Sequence, residues 1–585
     1  MARLRPHALT GFVVAWVAAC GGSNASSTAG DGGPDDATSS SGDSGGGSSS
    51  GGSSSGGSGS GGSSSSGSSS GGAKDGGSGG GKDGGSGSGS GGTDAGPPVG
   101  ASVLGFHNHI NRDGFYIDGA ITKAVAPTFH RIMTFAGSTA GNVYASPLYV
   151  ADGPAHKGTF FVATESDVVT AIDEATGNQV WQKTIATPAS QTGAGCGNIS
   201  PIGITGTPAI DLATRLIVFS AASADANSGI ATHTIHALSI DDGAEKWNLD
   251  VSTLSDPSGV KFADAVQAQN QRGAVLIVNG VAYVVFGGHY GDCGSYHGWV
   301  VSVALTGTGA HAWATQIQGA GIWGPGGASS DGQSIYVSTG NATTGNASWS
   351  ESEGIFRLDA MLGFTKQSAD YFAPNNWQAL DNGDIDLSGS GPLVVDSPSM
   401  TPSALVLAQG KDGYLYLLDR SNLGGIAPTG ALGNVGGLQV QSGEITNGGA
   451  WANVGSPATT YVVVRPNSQS GGVGCPNGTS GDLVGVKLDP SAAGKMSVAW
   501  CASSGGVGSP TITTSDGTND ALVWAFQADQ GQGQLLAFDL VTGASVFPGG
   551  PAGDAVGNVR RFTTPIAVHG RIYVAGDNQL YAFGP

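Results

Sequence analysis

From about residue 140 onward the chain alternates short apolar runs, rich in Val, Ile, Leu and aromatic residues, with glycine-rich breaks, and almost none of it carries helical periodicity. The pattern predicts strands joined by tight turns. Within it one eleven-residue phrase recurs: AIDEATGNQVW at 171–181, ALSIDDGAEKW at 237–247, VALTGTGAHAW at 303–313 and AFDLVTGASVF at 537–547. Each copy holds glycine at the seventh place (Gly177, Gly243, Gly309, Gly543) and a large aromatic at the eleventh (Trp181, Trp247, Trp313, Phe547). The physical reading is a strand, a turn whose glycine takes positive φ, and a second strand whose aromatic is buried against a neighbouring unit.

Weaker copies stand at Asp359 with Gly363, at Asp419 with Gly424 and at Asp489 with Trp500 three places late, and a last one, Tyr581 to Phe583, reaches the C-terminus before its turn. The third positions run from Asp173 to Phe583 in seven steps covering 410 residues, about 59 per unit. Eight units of four antiparallel strands predict an all-β, eight-bladed propeller over 101–585. Seven blades follow instead if the displaced units at Asp419 and Asp489 are not blades. The final unit lacks its outer strand, which leaves an unpaired edge and an open ring. The segment Phe129 to Phe135 has the right apolar character and no unit of its own, and is expected to supply that strand.

Composition sets the rest of the chain apart. Residues 21–98 hold 31 Gly and 26 Ser in 78 positions, too little apolar surface to offset ordering entropy, so residues 20–100 read as a disordered tether. Its coil span is about 50 Å and its extended limit about 270 Å. Ahead of it, Arg3 and Arg5 precede a 12-residue apolar run at 8–19 and then Cys20. Such a run is too short to span a bilayer and reads as an export signal over 1–19. Val17 to Cys20 resembles the lipobox of bacterial lipoproteins, which implies that Cys20 is lipidated and attaches the chain to a membrane. Gly21, where an acidic residue would mark inner-membrane retention, points to the outer membrane, on its periplasmic or its surface-exposed side.

The net charge is −20, of which −17 falls on the body, and clustered cations for a phosphate backbone are missing, so nucleic acid is excluded as the main partner. Four cysteines remain after Cys20, namely Cys196, Cys293, Cys475 and Cys501. In an exported chain two disulfides are the default, with three pairings open. No C-x-x-C, P-loop, H-E-x-x-H or G-x-S-x-G motif occurs.

The phrase A-x-D-x-x-T-G-x-x-x-W resembles the repeat signature of the PQQ-like propeller superfamily, which includes quinoprotein alcohol dehydrogenases and BamB-type assembly lipoproteins. The likeness covers residues 125–585. Segments such as GITGTPAID at 203–211, YHGW at 296–299 and DIDLSGSGP at 384–392 are similar to a bacterial subfamily of exported PQQ-like repeat proteins without an assigned activity. In that fold the signature tryptophans, with Trp500 among them, dock blade on blade and bind no quinone.

A blade's second-to-third-strand turns and its links to the next blade share one face, which would carry all four cysteines. Cys475–Cys501 within one unit and Cys196–Cys293 across neighbours are then the expected pairs. The same face would hold His289, Tyr290, Asp292, His297 and Trp299, with Asp381, Asp384, Asp386, Arg560 and Arg561, as a candidate functional rim with Tyr296 as a further exposed aromatic. No catalytic residue and no metal site is assigned from their spacing. The loop DNGDID at 381–386 could hold Ca²⁺, although it lacks the full EF-hand pattern. Quinoprotein alcohol dehydrogenases carry adjacent cysteines over the quinone, and no two cysteines are adjacent here. The resemblance therefore leaves PQQ with Ca²⁺ as cofactors of the rival reading only, an oxidoreductase of alcohols or polyols. The expected function is a monomeric, lipid-anchored binding or scaffold module for a protein or glycan partner. A Ca²⁺-stabilised glycan binder is a third reading.

Overall fold

Eight blades built on antiparallel sheets, five of four strands and three of five, follow one another around a ring in a computed structural model that describes residues 102–190, 193–345, 347–466 and 471–585. The leader, Cys20 and the Gly/Ser segment lie outside the described residues. Blade 1 shows how composition makes a blade. Its strands are Leu148–Val150, Thr159–Thr164, Val168–Asp173 and Gln179–Thr184. The second strand, TFFVAT, is buried at every position because neighbouring blades cover both its faces, whereas the outer strand, QVWQKT, is mostly exposed. This is why the middle strands read as unbroken apolar runs. Blades 5 and 6, on which the count depended, end their third strands at Asp419 and Leu488, so the ring has eight blades and not seven.

The repeat signature is a docking device. In blade 1, Asp173 accepts from Thr176 N at 3.0 Å and Thr176 Oγ1 at 2.7 Å, which shapes the turn that Gly177 closes. Trp181 Nε1 donates to the Ile240 carbonyl of blade 2 at 2.9 Å, Trp247 Nε1 to Leu305 of blade 3 at 2.7 Å, and Trp500 Nε1 to Leu540 of blade 7 at 2.7 Å. Each indole lies on a turn glycine of the next blade. A Cβ on Gly243, whose φ is +68°, would sit 3.0 Å from the Trp181 ring, and one on Gly543 would sit 2.6 Å from Trp500. In blade 3 the platform is shifted, since Gly307 and not Gly309 lies under Trp247. Trp313 packs on Phe356 at 5.3 Å and Phe364 at 6.0 Å between ring centroids. Phe547, at the end of blade 7, packs on Phe129 at 6.5 Å.

Closure follows the expected route. His130–Arg131 pairs antiparallel with Gln579–Gly584 as the outer strand of blade 8, and Ile132 N donates to Ala582 O at 2.8 Å. The two ends of the body thus complete one sheet.

The segment ahead of this strand takes a path that no periodicity foretold. Residues 103–118 travel round the axis and bond to one inner strand after another. Val103 pairs with Tyr149 of blade 1, and Leu104 O accepts from Ile210 of blade 2. Ile110 O, Asn111 O, Asp113 O and Gly114 O accept from Ser330, Val394, Trp451 and Ile512 of blades 4 to 7, at 2.8–3.1 Å. Phe115–Ile117 then adds a parallel strand to blade 7, and Asp118 accepts from Gly570 of blade 8 at 2.6 Å. Blade 3 is reached by a side chain instead. The buried Arg112 guanidinium donates to Val275 O of blade 3 at 3.1 Å, to Ala328 O of blade 4 at 2.9 Å and to Phe106 O at 3.0 Å. A second set of bonds, from Thr564 to Ser146 to Thr207 and from Gly448 to Ser509, joins the inner ends of successive blades above this plug.

Candidate functional site

The rim residues expected from sequence do not form one surface. Cys196 bonds to Cys293 and Cys475 to Cys501. Cys501 lies on the outer strand Met496–Ala502, not in the loop after it. Tyr290 is exposed, but Trp299 is fully buried, begins the strand Trp299–Ala304 and packs on Phe262 at 5.4 Å. Trp299 is therefore a core residue and leaves the candidate rim. Tyr296 is buried as well, with its hydroxyl donating to Asp292 at 2.6 Å. His297 bonds the Thr315 carbonyl at 2.7 Å through Nδ1. His289 is inside the protein, where burial takes its pKa down to about 3.

The acidic loop also closes on itself. Asp386 accepts from Asn341 N at 2.8 Å, and Asp381 from Ala342 N and Ser352 Oγ at 2.9 Å each. Lys411, from the second-to-third-strand turn of blade 5, sits 2.7 Å from Asp386 and 3.1 Å from Asp384. An ammonium thus occupies the place where the DNGDID pattern suggested Ca²⁺. Among the described residues no three His, Cys, Asp or Glu side chains converge to hold a metal ion. At blade 8, Arg560 forms a fork to Asp577 at 2.8 and 2.7 Å and donates to Tyr144 Oη at 2.9 Å, and Arg561 pairs with Asp529 at 2.5 Å.

What gathers at the channel mouth on this face is a different set, which sequence reasoning missed. The Arg272 guanidinium lies 5.0 Å from the Trp323 ring centroid and 5.9 Å from that of Phe562. Lys411 Nζ lies 5.4 Å from the same Trp323 ring. Arg272 precedes the inner strand of blade 3, Trp323 leads into blade 4 and Phe562 into blade 8, so the contact crosses the axis between opposite sides of the ring. All three are less than a tenth exposed. The cation–π contacts, made in a largely desolvated place, hold this closure together. One sequence signal was available: Trp323 stands outside the repeat's eleventh place.

Both ends of the channel are therefore filled by the chain itself. At the lower end a cavity of about 330 Å³ remains between Leu104, His109 and Ile110 of the plug and the inner strands of blades 2 and 3. The residues around Trp323 at the upper mouth do not fit a metal-bound quinone: the ring is already covered by cations, Asp384 and Asp386 are paired with Lys411, and no two cysteines of the chain are adjacent.

Burial favours the neutral form of four interior histidines, of which His236 is one, and three are shifted far. His107, His233 and His289 are held down to about 3, 4 and 3. All three lie below the unfolded value, so the folded rings stay neutral while unfolded rings take up protons as pH falls through about 6.5. At pH 5, NMR of labelled histidine is expected to show these three rings neutral. His109 is raised beside the Asp113 carboxylate, which bonds its Nδ1 at 2.9 Å, and is expected to be protonated under the same conditions.

Residues 156–363, blades 1 to 4, match the family described as outer membrane protein assembly factor BamB. The match is confined to those four blades; with the eight blades and their signature turns, the chain is similar in fold to the PQQ-like β-propellers. No curated protein sequence matches the chain significantly. Among solved structures it is similar to the quinohemoprotein alcohol dehydrogenase of Comamonas testosteroni, at 15% identity over 83% of this chain and 81% of that one, with a TM-score of 0.54. The quinohemoprotein alcohol dehydrogenase ADHIIG of Pseudomonas putida HK5 gives 12% identity, coverage of 83% and 80%, and a TM-score of 0.54. A europium-containing methanol dehydrogenase gives 12%, coverage of 83% and 98%, and a TM-score of 0.52. At such identities the likeness is one of fold. Among the described residues no helix is long and apolar enough to cross a membrane.

Proposed function

We propose that the chain is a non-catalytic propeller of the bacterial envelope, lipid-anchored through Cys20, that presents its disulfide-pinned loop face to a protein or glycan partner. The observation that carries this reading is the filled channel mouth, where Arg272, Trp323 and Phe562 meet across the axis. A propeller closed in this way offers surfaces and not a cofactor chamber. The two disulfides hold the loops around Tyr290 and Val473 in place, which lowers the ordering cost of binding through them. The match of blades 1 to 4 to the BamB family supports an envelope setting, and the leader and Cys20 support the anchor.

The test is a titration of the purified protein with PQQ in the presence of Ca²⁺, followed by quinone absorbance and by dye reduction with a panel of alcohols and polyols. No stoichiometric quinone binding at high micromolar PQQ and no turnover are expected. Stoichiometric binding with turnover would replace this reading by a quinoprotein-type oxidoreductase.

A further inference from the structure

Two carboxylates at the junction of blades 1 and 2 are buried without the donors such groups need. Glu165 and Asp167 flank the turn between the second and third strands of blade 1, and both are wholly buried. Glu165 accepts from Gly203 N at 2.8 Å through Oε2. Its Oε1, and both oxygens of Asp167, find no hydrogen-bond partner among the described residues. Thr205, on the segment leading into blade 2, is 3% exposed and turns its hydroxyl to the Glu165 carboxyl.

More than nine-tenths of buried polar atoms in folded proteins are satisfied, so carboxylate oxygens left short of donors on two adjacent buried side chains require a cause. A proton alone does not supply it. Protonation removes charge and adds one donor per carboxyl, but it brings no donor to the second oxygen of Asp167. The nearest cation, Arg560, is already engaged by Asp577 and Tyr144. A place that is rich in oxygen and poor in donors, with no thiolate or imidazole, has the ligand chemistry of a hard divalent cation.

We propose that Glu165, Asp167 and Thr205 form a binding site for a hard divalent cation, Ca²⁺ in the first place, which ties the turn of blade 1 to the lead into blade 2. Two carboxylates balance its charge. With so few charged ligands the affinity belongs to the weak range of extracellular calcium modules, about 0.1–1 mM. The site is separate from the Asp384 and Asp386 loop, which Lys411 closes, and does not depend on whether a partner binds the loop face.

In the purified full-length protein stripped of divalent ions, calorimetric titration with CaCl₂ is expected to show one equivalent bound at this site, and the thermal midpoint is expected to rise with Ca²⁺. Asp167→Asn and Glu165→Gln should each abolish both effects. Thr205→Val keeps the side-chain volume and guards against loss of folding in the acidic variants. It should weaken Ca²⁺ binding while leaving the calcium-free midpoint near that of the wild type. Absence of saturable binding to the wild type overturns the proposal, and so does binding that is unchanged in all three variants.

Discussion

A chain that lacks residues 102–135 is expected not to fold. The deletion removes the backbone bonds that residues 103–118 make to the inner strands of six blades, together with the Asp118 carboxylate bond to blade 8 and the Arg112 fork that joins blades 3 and 4. It also removes the outer strand of blade 8, leaving Gln579–Gly584 as an open edge and Phe547 without Phe129. Each lost bond leaves a buried donor or acceptor unmatched at about 1–3 kcal/mol, and several such losses exceed the 5–15 kcal/mol by which folded proteins are stable. Far-UV and near-UV circular dichroism of the truncated chain should therefore show no cooperative thermal transition. A synthetic peptide of residues 102–135 added in trans is expected to restore one in part. A truncated chain that unfolds cooperatively near the wild-type midpoint would mean that the axial segment is an accessory to a ring already closed.

Replacing Trp500 by alanine is expected to destabilise the body by about 3–5 kcal/mol, the usual cost of emptying a buried aromatic site. The indole is 3% exposed, donates to Leu540 O at 2.7 Å and rests on the Gly543 turn of the next blade. Gly543→Val attacks the same contact from the other side. Its Cβ would stand 2.6 Å from the indole, and a β-branched residue would be forced to a φ of +70°. Chemical denaturation should show both variants with lowered midpoints, and the double variant should lose much less than the sum because one contact is removed twice. Strict additivity would show that the two residues do not form a single docking unit.

The features legible in the sequence are those that repeat or that lie close together along the chain. The seventh-place glycine and eleventh-place aromatic recur because every blade must dock on its neighbour in the same way, and counting them gives the ring. The need for a partner to the last strand pointed to Phe129 to Phe135 for the same reason. The axial plug was hidden because residues 103–118 bind mainly through backbone groups, which leave no apolar period behind. Arg272, Trp323 and Phe562 are hidden for another reason: they come from three separate links and meet only once the ring has closed. Local pattern misled at two places. DNGDID read as a cation loop because Lys411, which neutralises it, comes from the next blade's turn. Trp299 read as a rim aromatic because it follows a glycine-rich loop, although the run WVVSVA after that loop is a strand whose first side chain points inward.

Hydrogen exchange, followed by mass spectrometry on the purified protein with Ca²⁺ present throughout and with or without PQQ, tests most directly that the chain closes its own channel. Amides of residues 103–118 should exchange as slowly as those of the inner strands to which they bond. The segments around Arg272, Trp323 and Phe562 should be unaffected by the quinone. Fast exchange over 103–118, or new protection confined to those three mouth segments when PQQ is added, would contradict a closed propeller that works through its surface.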